Sequence, residues 1–424
     1  MPDRRQRNHS GSRTKGVLAA VGPGVVAGAA DDDPSGIAAF SIAGASFGTS
    51  LLWTAPLTWP FMAAAQMMCA RIGLMTGQGL AGAFRSKYSR GLLIPFLVIL
   101  FIVNTINIGA DLSGMADAAQ LITGAPPSLF VFLFGIFMIL ATMRLRYDQM
   151  TRLFQWLALL LSGYAVSAFL VHPDWRAVLH DAFRLSIPRS PAEWSTLIAL
   201  IGSTFTPYFF VWQAAEEVEV KKIERQGEHL HGARGEDLRF RGIDVLVGTF
   251  FSRIVMFFVI LTAALTLHTR GVRVSTAADA ARALEPVSGA VAKYLYAGSL
   301  IAVGLLVIPV LATTAAYALS EALGWHHGLD EKARDARPFY AVIVCTIAGG
   351  MMIQFTHVQS MSVLFWTGFL NGIIAPFLLL GALLIASDRR LMKERPLPWI
   401  ERAIVGVSIA MMFGAAVAMA VVSV

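Results

Sequence analysis

Three consecutive carboxylates, Asp31, Asp32 and Asp33, lie directly before Pro34-Ser35-Gly36 in a stretch of chain that is otherwise uncharged and mostly apolar. Inside a membrane, ionisable groups are costly and are tolerated mainly where they serve a function. Helix breakers beside them free backbone carbonyls, which are oxygen ligands like the carboxylates themselves. The pattern therefore predicts a cation site with Asp33 as a ligand. The alternative for Asp33 is a helix cap, since Asp is favoured at the N-cap before a proline.

A second interruption lies at residues 202–207, in the middle of the uncharged run between Glu193 and Glu216. Its sequence, Gly-Ser-Thr-Phe-Thr-Pro, breaks a helix where the freed carbonyls need a partner such as an ion. The sequence therefore contains two similar breaks, each rich in oxygen ligands.

The composition indicates which elements position these breaks. Hydrophobic residues make up 56% of the chain and charged residues 14%, whereas about a quarter of the residues of a soluble domain are charged. We therefore predict an all-α integral membrane protein with about eleven transmembrane helices. The predicted spans are 17–45 (broken), 49–72, 92–122, 127–143, 153–171, 194–216 (broken), 243–267, 294–322, 338–356, 361–387 and 402–423.

The spacing of the two breaks predicts how the spans are arranged. Between Gly36 and Thr206 there is room for about five spans at roughly 34 residues each. Broken helices at corresponding positions of two five-helix halves are typical of LeuT-type inverted-repeat transporters, whose site lies where the breaks meet. We therefore predict one transmembrane domain over 17–424, with a first repeat at 17–171, a second at 194–387 and an extra helix at 402–423.

Basic residues predict the orientation of the chain. Lys and Arg are concentrated in alternate connections such as 221–241 and are absent from the loops 45–48, 123–126 and 357–360. The positive-inside rule then gives a cytoplasmic N-terminal tail over residues 1–16 and a C-terminus outside. This topology accounts for the net charge of +7. We expect the lipid bilayer as a partner, with no nucleic acid and no obligate protein partner.

Short motifs in the first three spans carry a family resemblance. Gly22-Pro23-Gly24 precedes Asp33-Pro34-Ser35-Gly36, the segment 66–71 precedes Gly73, Thr76 and Gly77, and Ile108-Gly109-Ala110-Asp111-Leu112 follows. These segments resemble the NRAMP family of divalent-metal transporters. The resemblance implies a multi-pass protein of a bacterial-type inner (plasma) membrane that needs no cofactor and carries a divalent metal cation as its substrate.

The chain departs from the family pattern at positions that would lie near the metal or serve proton movement. In this chain the replaced positions are Gly36 for asparagine, Ser203 for alanine, Thr206 for methionine, Tyr208 and Gln213 for two histidines, and Gly114 for an acid. This altered set resembles the bacterial branch of NRAMP-related magnesium transporters.

Ligand chemistry favours the same cargo. A thioether favours transition metals, whereas carboxylate, hydroxyl, carbonyl and water suit Mg²⁺ or Mn²⁺. Mg²⁺ sheds water reluctantly and fits a roomy site with one or two carboxylates. The predicted metal site is formed by Asp33, Gly36, Ser203 and Thr206, in which Gly36 leaves room for water. The alternative for both hydroxyls is an ordinary hydrogen bond to a carbonyl one turn back.

Further residues are predicted to line the cavity or to support the ligands: Asp32, Ser35, Asp111, Tyr208, Gln213 and Asn371. For Asp111, a structural ion pair with Arg253 of the seventh span is the favoured interpretation. Ordinary hydrogen bonding between helices is an equal alternative for Tyr208, Gln213 and Asn371. A tyrosine and an amide do not titrate near neutral pH, so we expect weak or absent proton coupling. Asp31 and Asp32 line a solvated vestibule or contact the ion.

Other polar clusters have ordinary interpretations. Glu216, Glu217 and Glu219 end the sixth span and either gather cations or, as we favour, pair with Lys221 and Lys222. The histidine pairs are predicted to be solvated loop residues: His229, His231, His326 and His327.

Three functions fit these observations. The first is the import of a hard divalent cation by alternating access, with Mg²⁺ as the main cargo, Mn²⁺ as a second one, and weak or no proton coupling. The second is a proton-coupled Mn²⁺ or Fe²⁺ transporter that uses Asp111. The third is a permease for an amino acid or another organic solute, which the three aspartates disfavour. An enzyme is not expected, because no nucleophile and base pair is visible.

Overall fold

The computed structural model describes residues 32–144, 162–225, 235–284, 292–329, 331–356, 358–393 and 395–422, and every regular element in these ranges is helical. The helices are α1 (Pro34–Phe47), α2 (Thr54–Thr76), α3 (Leu80–Lys87), α4 (Arg90–Thr123), α5 (Pro127–Arg144), α6 (Ser162–Leu170), α7 (Trp175–Phe183), α8 (Pro191–Thr204), α9 (Pro207–Arg225), α10 (Gly235–Thr266), α11 (Ala277–Ala281), α12 (Ala292–Leu323), α13 (Arg337–Met352), α14 (Ser360–Ala386) and α15 (Trp399–Val422).

These helices confirm the predicted all-α membrane architecture. Seven helical stretches in the described ranges are long and apolar enough to cross a membrane, and α1 and α13 are shorter apolar helices. The break in the sixth span is present, because α8 ends at Thr204 and α9 begins at Pro207. The N-terminal half of the first broken span, with Asp31, lies outside the described residues, as do the first part of the fifth span, His229 and His231.

Helix α1 lies at the centre of the bundle, against α8, α10 and α14. Its sequence consists mainly of small residues, which allow close approach of helices within membranes. At Gly44, an added Cβ would lie 2.2 Å from the carbonyl oxygen of Ile260 in α10. The start of α1 is thus held deep in the protein, and Asp32 and Asp33 are both fully buried.

Helices α8 and α14 cross with their backbones in contact. An added Cβ at Gly202 would lie 1.9 Å from the carbonyl oxygen of Gly368 and 2.3 Å from the amide nitrogen of Gly372. Only glycine satisfies this geometry, so the glycine of the second break is required by packing. The crossing holds the end of α8, where the second break begins, against α14.

Three short helices in the loops, α3, α7 and α11, were not predicted from the sequence. Helix α3 begins after Gly79, and the carboxylate of Glu321 from α12 accepts hydrogen bonds from the amides of Gly79 and Gly82, at 2.9 and 3.0 Å. A carboxylate at a helix N-terminus offsets the helix dipole and the unpaired amides. The cap comes from a residue far along the chain, which is why no local signal predicted it.

Helix α7 packs over the end of α1 through a polar contact. Asp174 caps α7 by accepting a hydrogen bond from the amide of Arg176 at 2.9 Å. On the same helix, Oδ2 of Asp181 accepts a hydrogen bond from the hydroxyl of Thr49 at 2.6 Å. This bond holds the pKa of Asp181 below its ordinary value.

Candidate functional site

Asp33 caps α1 and also faces the second break. Its backbone is extended, and Oδ1 accepts hydrogen bonds from the hydroxyl of Ser35 at 2.5 Å and from the amide of Gly36 at 2.7 Å. Its other oxygen, Oδ2, accepts a hydrogen bond from the hydroxyl of Tyr208 at 3.3 Å. Asp33 therefore does cap α1, through Oδ1. The oxygen Oδ2 is directed away from the helix.

Tyr208 is the second residue of α9 and is fully buried. It follows Pro207, which occupies the first helical position, where proline is favoured. The bond from Tyr208 to Asp33 brings the two breaks into direct contact. The predicted placement of Tyr208 beside the ion ligands is compatible with this geometry.

Ser203 and Thr206 are both fully buried, and neither side-chain oxygen has a hydrogen-bond partner among the described residues. Buried hydroxyls are normally satisfied, so two unpaired ones at a helix break indicate an absent partner. The alternative of a bond to the preceding turn does not occur for either residue. That bond is made instead by Thr204, whose hydroxyl donates to the carbonyl of Leu200 at 2.9 Å.

A methyl group at Gly36 would fit without a clash. An added Cβ would be 3.4 Å from the ring of Phe40 and 3.5 Å from Oδ1 of Asp33, both ordinary contact distances. A glycine is therefore not required at this position by packing. The Cβ position lies beside the Asp33 carboxylate.

The predicted pairing of Asp111 with Arg253 is wrong. Arg253 lies instead beside Asp32, with Nη2 of the guanidinium 3.6 Å from Oδ1 of the carboxylate. The helix α10, which holds Arg253, packs along α1, which follows Asp32. This packing brings Arg253 to Asp32 and cannot be read from the sequence. Asp32 therefore does not line a solvated vestibule. It is buried and forms an ion pair with Arg253.

Asp111 is fully buried in α4, and neither of its carboxylate oxygens has a hydrogen-bond partner in the described part of the chain. It is close enough to Asp33 for the two carboxylates to interact electrostatically. One turn before it, the side-chain amides of Asn107 and Asn371 are hydrogen-bonded to each other at 3.3 Å. Asn371 thus makes the helix-to-helix bond that was its alternative interpretation.

Gln213 donates a hydrogen bond to Oε1 of Glu217 at 3.1 Å, so its side-chain amide is used in a hydrogen bond within α9.

Glu217 is 1% exposed, and its carboxylate pairs with Nε of Arg241 at 2.7 Å. Arg241 also contacts Asp244 at 3.0 Å. Glu217 is therefore paired with a cation, but that cation is Arg241 of α10 and not one of the lysines that were predicted as partners. On the exposed surface, His326 lies 3.2 Å from Glu331.

The chemistry of the site follows from this arrangement. No cluster of three or more His, Cys, Asp or Glu side chains that could hold a metal occurs among the described residues. The oxygens available near the two breaks belong to one carboxylate and two hydroxyls, together with backbone carbonyls. Such a hard, sparsely charged set suits a cation that keeps part of its water.

Two polar residues that hydrogen-bond to the predicted site residues were not predicted from the sequence. Ser252 donates a hydrogen bond to Oδ1 of Asp32 at 3.0 Å, and Asn107 pairs with Asn371. Both lie in apolar spans beside other polar residues: Ser252 precedes Arg253, and Asn107 follows Asn104 and Thr105. A systematic search for intramembrane polar residues would have found them, but their partners depend on helix packing.

Comparison with known proteins gives consistent matches over most of the chain. A family model described as Nramp, natural resistance-associated macrophage protein-like, matches residues 24–422. The divalent metal cation transporter MntH of Caldanaerobacter subterraneus is 24% identical over 316 residues, which is 71% of this chain and 71% of that protein. The protein of the same name from Klebsiella pneumoniae is 28% identical over 315 residues, covering 72% of this chain and 73% of that protein.

Solved structures support the fold. A manganese transporter of Eremococcus coleocola superposes with a TM-score of 0.69 at 17% identity, covering 100% of this chain and 95% of that one. A nucleobase-cation-symport-1 family transporter in a closed conformation superposes with a TM-score of 0.59 at 12% identity, covering 95% and 92%. Both neighbours are membrane transporters, and at these identities the likeness concerns the fold.

Proposed function

Since the chain belongs to the Nramp family, we propose that it imports a hard divalent cation, Mg²⁺ foremost and Mn²⁺ as a second cargo, by alternating access around Asp33. The supporting observation is the pair of buried hydroxyls without partners, Ser203 and Thr206, at a helix break that contacts Asp33 through Tyr208. A bound cation would supply the partner that these oxygens lack.

The preference for Mg²⁺ rests on the absence of a soft ligand at the positions proposed to bind the ion. Thr206 stands where the family has a thioether, and Gly36 has no side chain beside Oδ1 of Asp33. A wide site made of oxygens lets the ion keep most of its hydration shell. That lowers the cost of binding most for Mg²⁺, which holds its water most strongly.

A second candidate is proton-coupled transport of Mn²⁺. It is favoured by the related proteins described above, which are named divalent metal cation and manganese transporters. It is also favoured by Asp111, a buried carboxylate without a hydrogen-bond partner among the described residues. A carboxylate of this kind can exchange a proton during a transport cycle.

One experiment separates the two candidates. The protein is reconstituted in liposomes that hold a pH dye, and uptake of Mg²⁺ and of Mn²⁺ is measured at matched concentrations. Mg²⁺ uptake without acidification of the lumen supports the first proposal. Uptake of Mn²⁺ alone, accompanied by protons, supports the second. Liposomes containing the Asp33→Asn variant, which we expect to be inactive, measure the passive leak of each ion.

We also propose a cytoplasmic N-terminus, on the distribution of Lys and Arg between the loops. Single cysteines introduced at Ser89 and Ala125, in loops predicted to lie on opposite sides, test it in a variant whose own Cys69 and Cys345 are replaced by serine. A membrane-impermeant thiol reagent applied to intact cells should then label only position 125.

A further inference from the structure

The guanidinium of Arg253 lies between the two breaks and contacts residues of both. Nη1 donates a hydrogen bond to Oγ1 of Thr204, the last residue of α8, at 2.5 Å. Nη2 lies 3.6 Å from Oδ1 of Asp32, directly before α1. Arg253 is only 3% exposed, so this charge is held inside the protein at the point where α1, α8 and α10 meet.

Neighbouring side chains complete the environment of this charge. Ser252 accepts a hydrogen bond from Nη2 of Arg253 at 2.6 Å and donates one to Oδ1 of Asp32 at 3.0 Å. Nη1 also contacts the sulfur of Met256 at 3.2 Å. One carboxylate oxygen and one thioether sulfur, each of a type that can bind a metal, are therefore both in contact with a cation that belongs to the protein.

The two adjacent carboxylates consequently differ in their partners. Asp32 is paired with a guanidinium, which stays protonated under all ordinary conditions. The hydrogen bonds to Asp33 come from neutral groups, namely Ser35, Gly36 and Tyr208. Of these two residues, only Asp33 keeps a negative charge that is not already compensated by a cation.

We propose that Arg253 is a resident cation of this transporter, which neutralises Asp32 and leaves Asp33 as the available one of the two carboxylates. The proposal rests on the function proposed above. Its consequence is loose binding: a divalent cation meets one free carboxylate and a nearby positive charge, so it is released easily. Arg253 is thus a positioning residue that sets affinity through Asp32.

Substitution of Arg253 by alanine tests the proposal. The variant frees Asp32, so the dissociation constant for Mg²⁺, measured by calorimetry in detergent, should fall about tenfold, which corresponds to about 1.4 kcal/mol. Uptake into liposomes should become slower at saturating Mg²⁺, because release from two carboxylates is slower. Guanidinium chloride at sub-denaturing concentration should restore both values, since the free ion fits the vacated space.

The double variant Asp32→Asn with Arg253→Ala should lose the gain in affinity, because it lacks the freed carboxylate. Arg71→Ala is the matched control. Arg71 is an arginine of α2 whose guanidinium donates to the carbonyl of Pro396 at 3.3 Å, and its loss should leave the dissociation constant unchanged. A folded Arg253→Ala variant with unchanged or weaker Mg²⁺ binding would overturn the proposal.

Folding of the variants is followed by thermal unfolding, which does not require cargo. If Arg253→Ala does not fold, the proposal expects the double variant to fold, because it contains no unpaired buried charge; failure of the double variant overturns the proposal. If wild-type protein neither binds nor transports either metal, the proposed function fails instead. The charge pairing is then still decided by comparing the stabilities of Arg253→Ala, Asp32→Asn and the double variant.

Discussion

The phenolic hydroxyl of Tyr208 donates a hydrogen bond to the carboxylate of Asp33 over 3.3 Å, although 175 residues separate them in the chain. This contact joins the start of α9 to the start of α1. It places the residue that replaces a family histidine on the proposed metal ligand itself. A histidine could donate the same hydrogen bond. Tyrosine differs because, unlike histidine, its side chain does not ordinarily titrate near neutral pH.

We predict that Asp33→Asn abolishes divalent-cation uptake while the protein remains folded. Asparagine is as good an N-cap as aspartate and can still accept from the amide of Gly36, so α1 keeps its cap. Asp33→Ala should also be inactive but should lose about 1 kcal/mol of stability as well. Uptake into liposomes and thermal unfolding of both variants check this. Wild-type flux in Asp33→Asn would remove Asp33 from the ion's ligands.

The double variant Thr206→Met with Gly36→Asn should favour Mn²⁺ over Mg²⁺ by about tenfold, or about 1.4 kcal/mol. The thioether favours the transition metal, and the amide fills the space beside Asp33, which penalises the more hydrated ion. Competition between the two ions for uptake gives the ratio. Gly36→Ala is the control, since a Cβ is accommodated there without a clash. An unchanged ratio in an active double variant would mean that these positions do not face the ion.

Mg²⁺ uptake should acidify the liposome lumen little or not at all. The groups that would carry protons in the family are replaced by Gly114, Tyr208 and Gln213, and the amide of Gln213 is engaged with Glu217. A pH dye inside the liposomes measures the effect. If Mg²⁺-dependent acidification is strong in wild type and disappears in Asp111→Asn, the proton-coupled mechanism through Asp111 is correct.

Most of the fold could be predicted from the sequence, because span positions depend on local hydropathy and the breaks depend on local Gly and Pro. The same holds for Asp33, where the capping pattern is local. The partner of Arg253 could not be predicted, since it depends on which helices pack together. The bond between Asn107 and Asn371 and the cap of α3 by Glu321 were missed for the same reason.

Gly202→Ala should destabilise the protein by about 3 kcal/mol, because overpacking a tight core costs about 1 to 3 kcal/mol and this site, where backbone atoms must move, lies at the upper end. The added Cβ would meet the backbone of Gly368 and Gly372. Gly298→Ala in α12 is the matched control: nothing lies within 4 Å of its Cβ position, and the helix should gain up to about 1 kcal/mol. Thermal unfolding in detergent compares them. Equal stability of the two variants would contradict the close crossing.

Replacement of Thr49 by valine should raise the pKa of Asp181 towards the ordinary value of an aspartate, because the hydrogen bond that lowers it is lost. A lowered pKa in the folded state stabilises the protein above the unfolded value of about 3.9 and loses that effect as the pH falls through the folded value. Wild type should therefore lose more stability than Thr49→Val between pH 7 and acid pH. Thermal unfolding across this range measures the difference, with Thr49→Ser as the control that keeps the hydroxyl. Identical pH profiles for wild type and Thr49→Val would refute the link.

The direct backbone contact of Gly202 with Gly368 and Gly372 leaves no compressible side chain between α8 and α14. Packed interfaces of this kind change between discrete arrangements rather than deform continuously. During alternating access we therefore expect α8 and α14 to move as one rigid body. The bending then falls on Phe205 and Thr206, the two residues between α8 and α9. The hinge of the cycle would then include Thr206, a residue proposed to bind the ion, so that the ion's coordination and the opening of the gate would be mechanically linked.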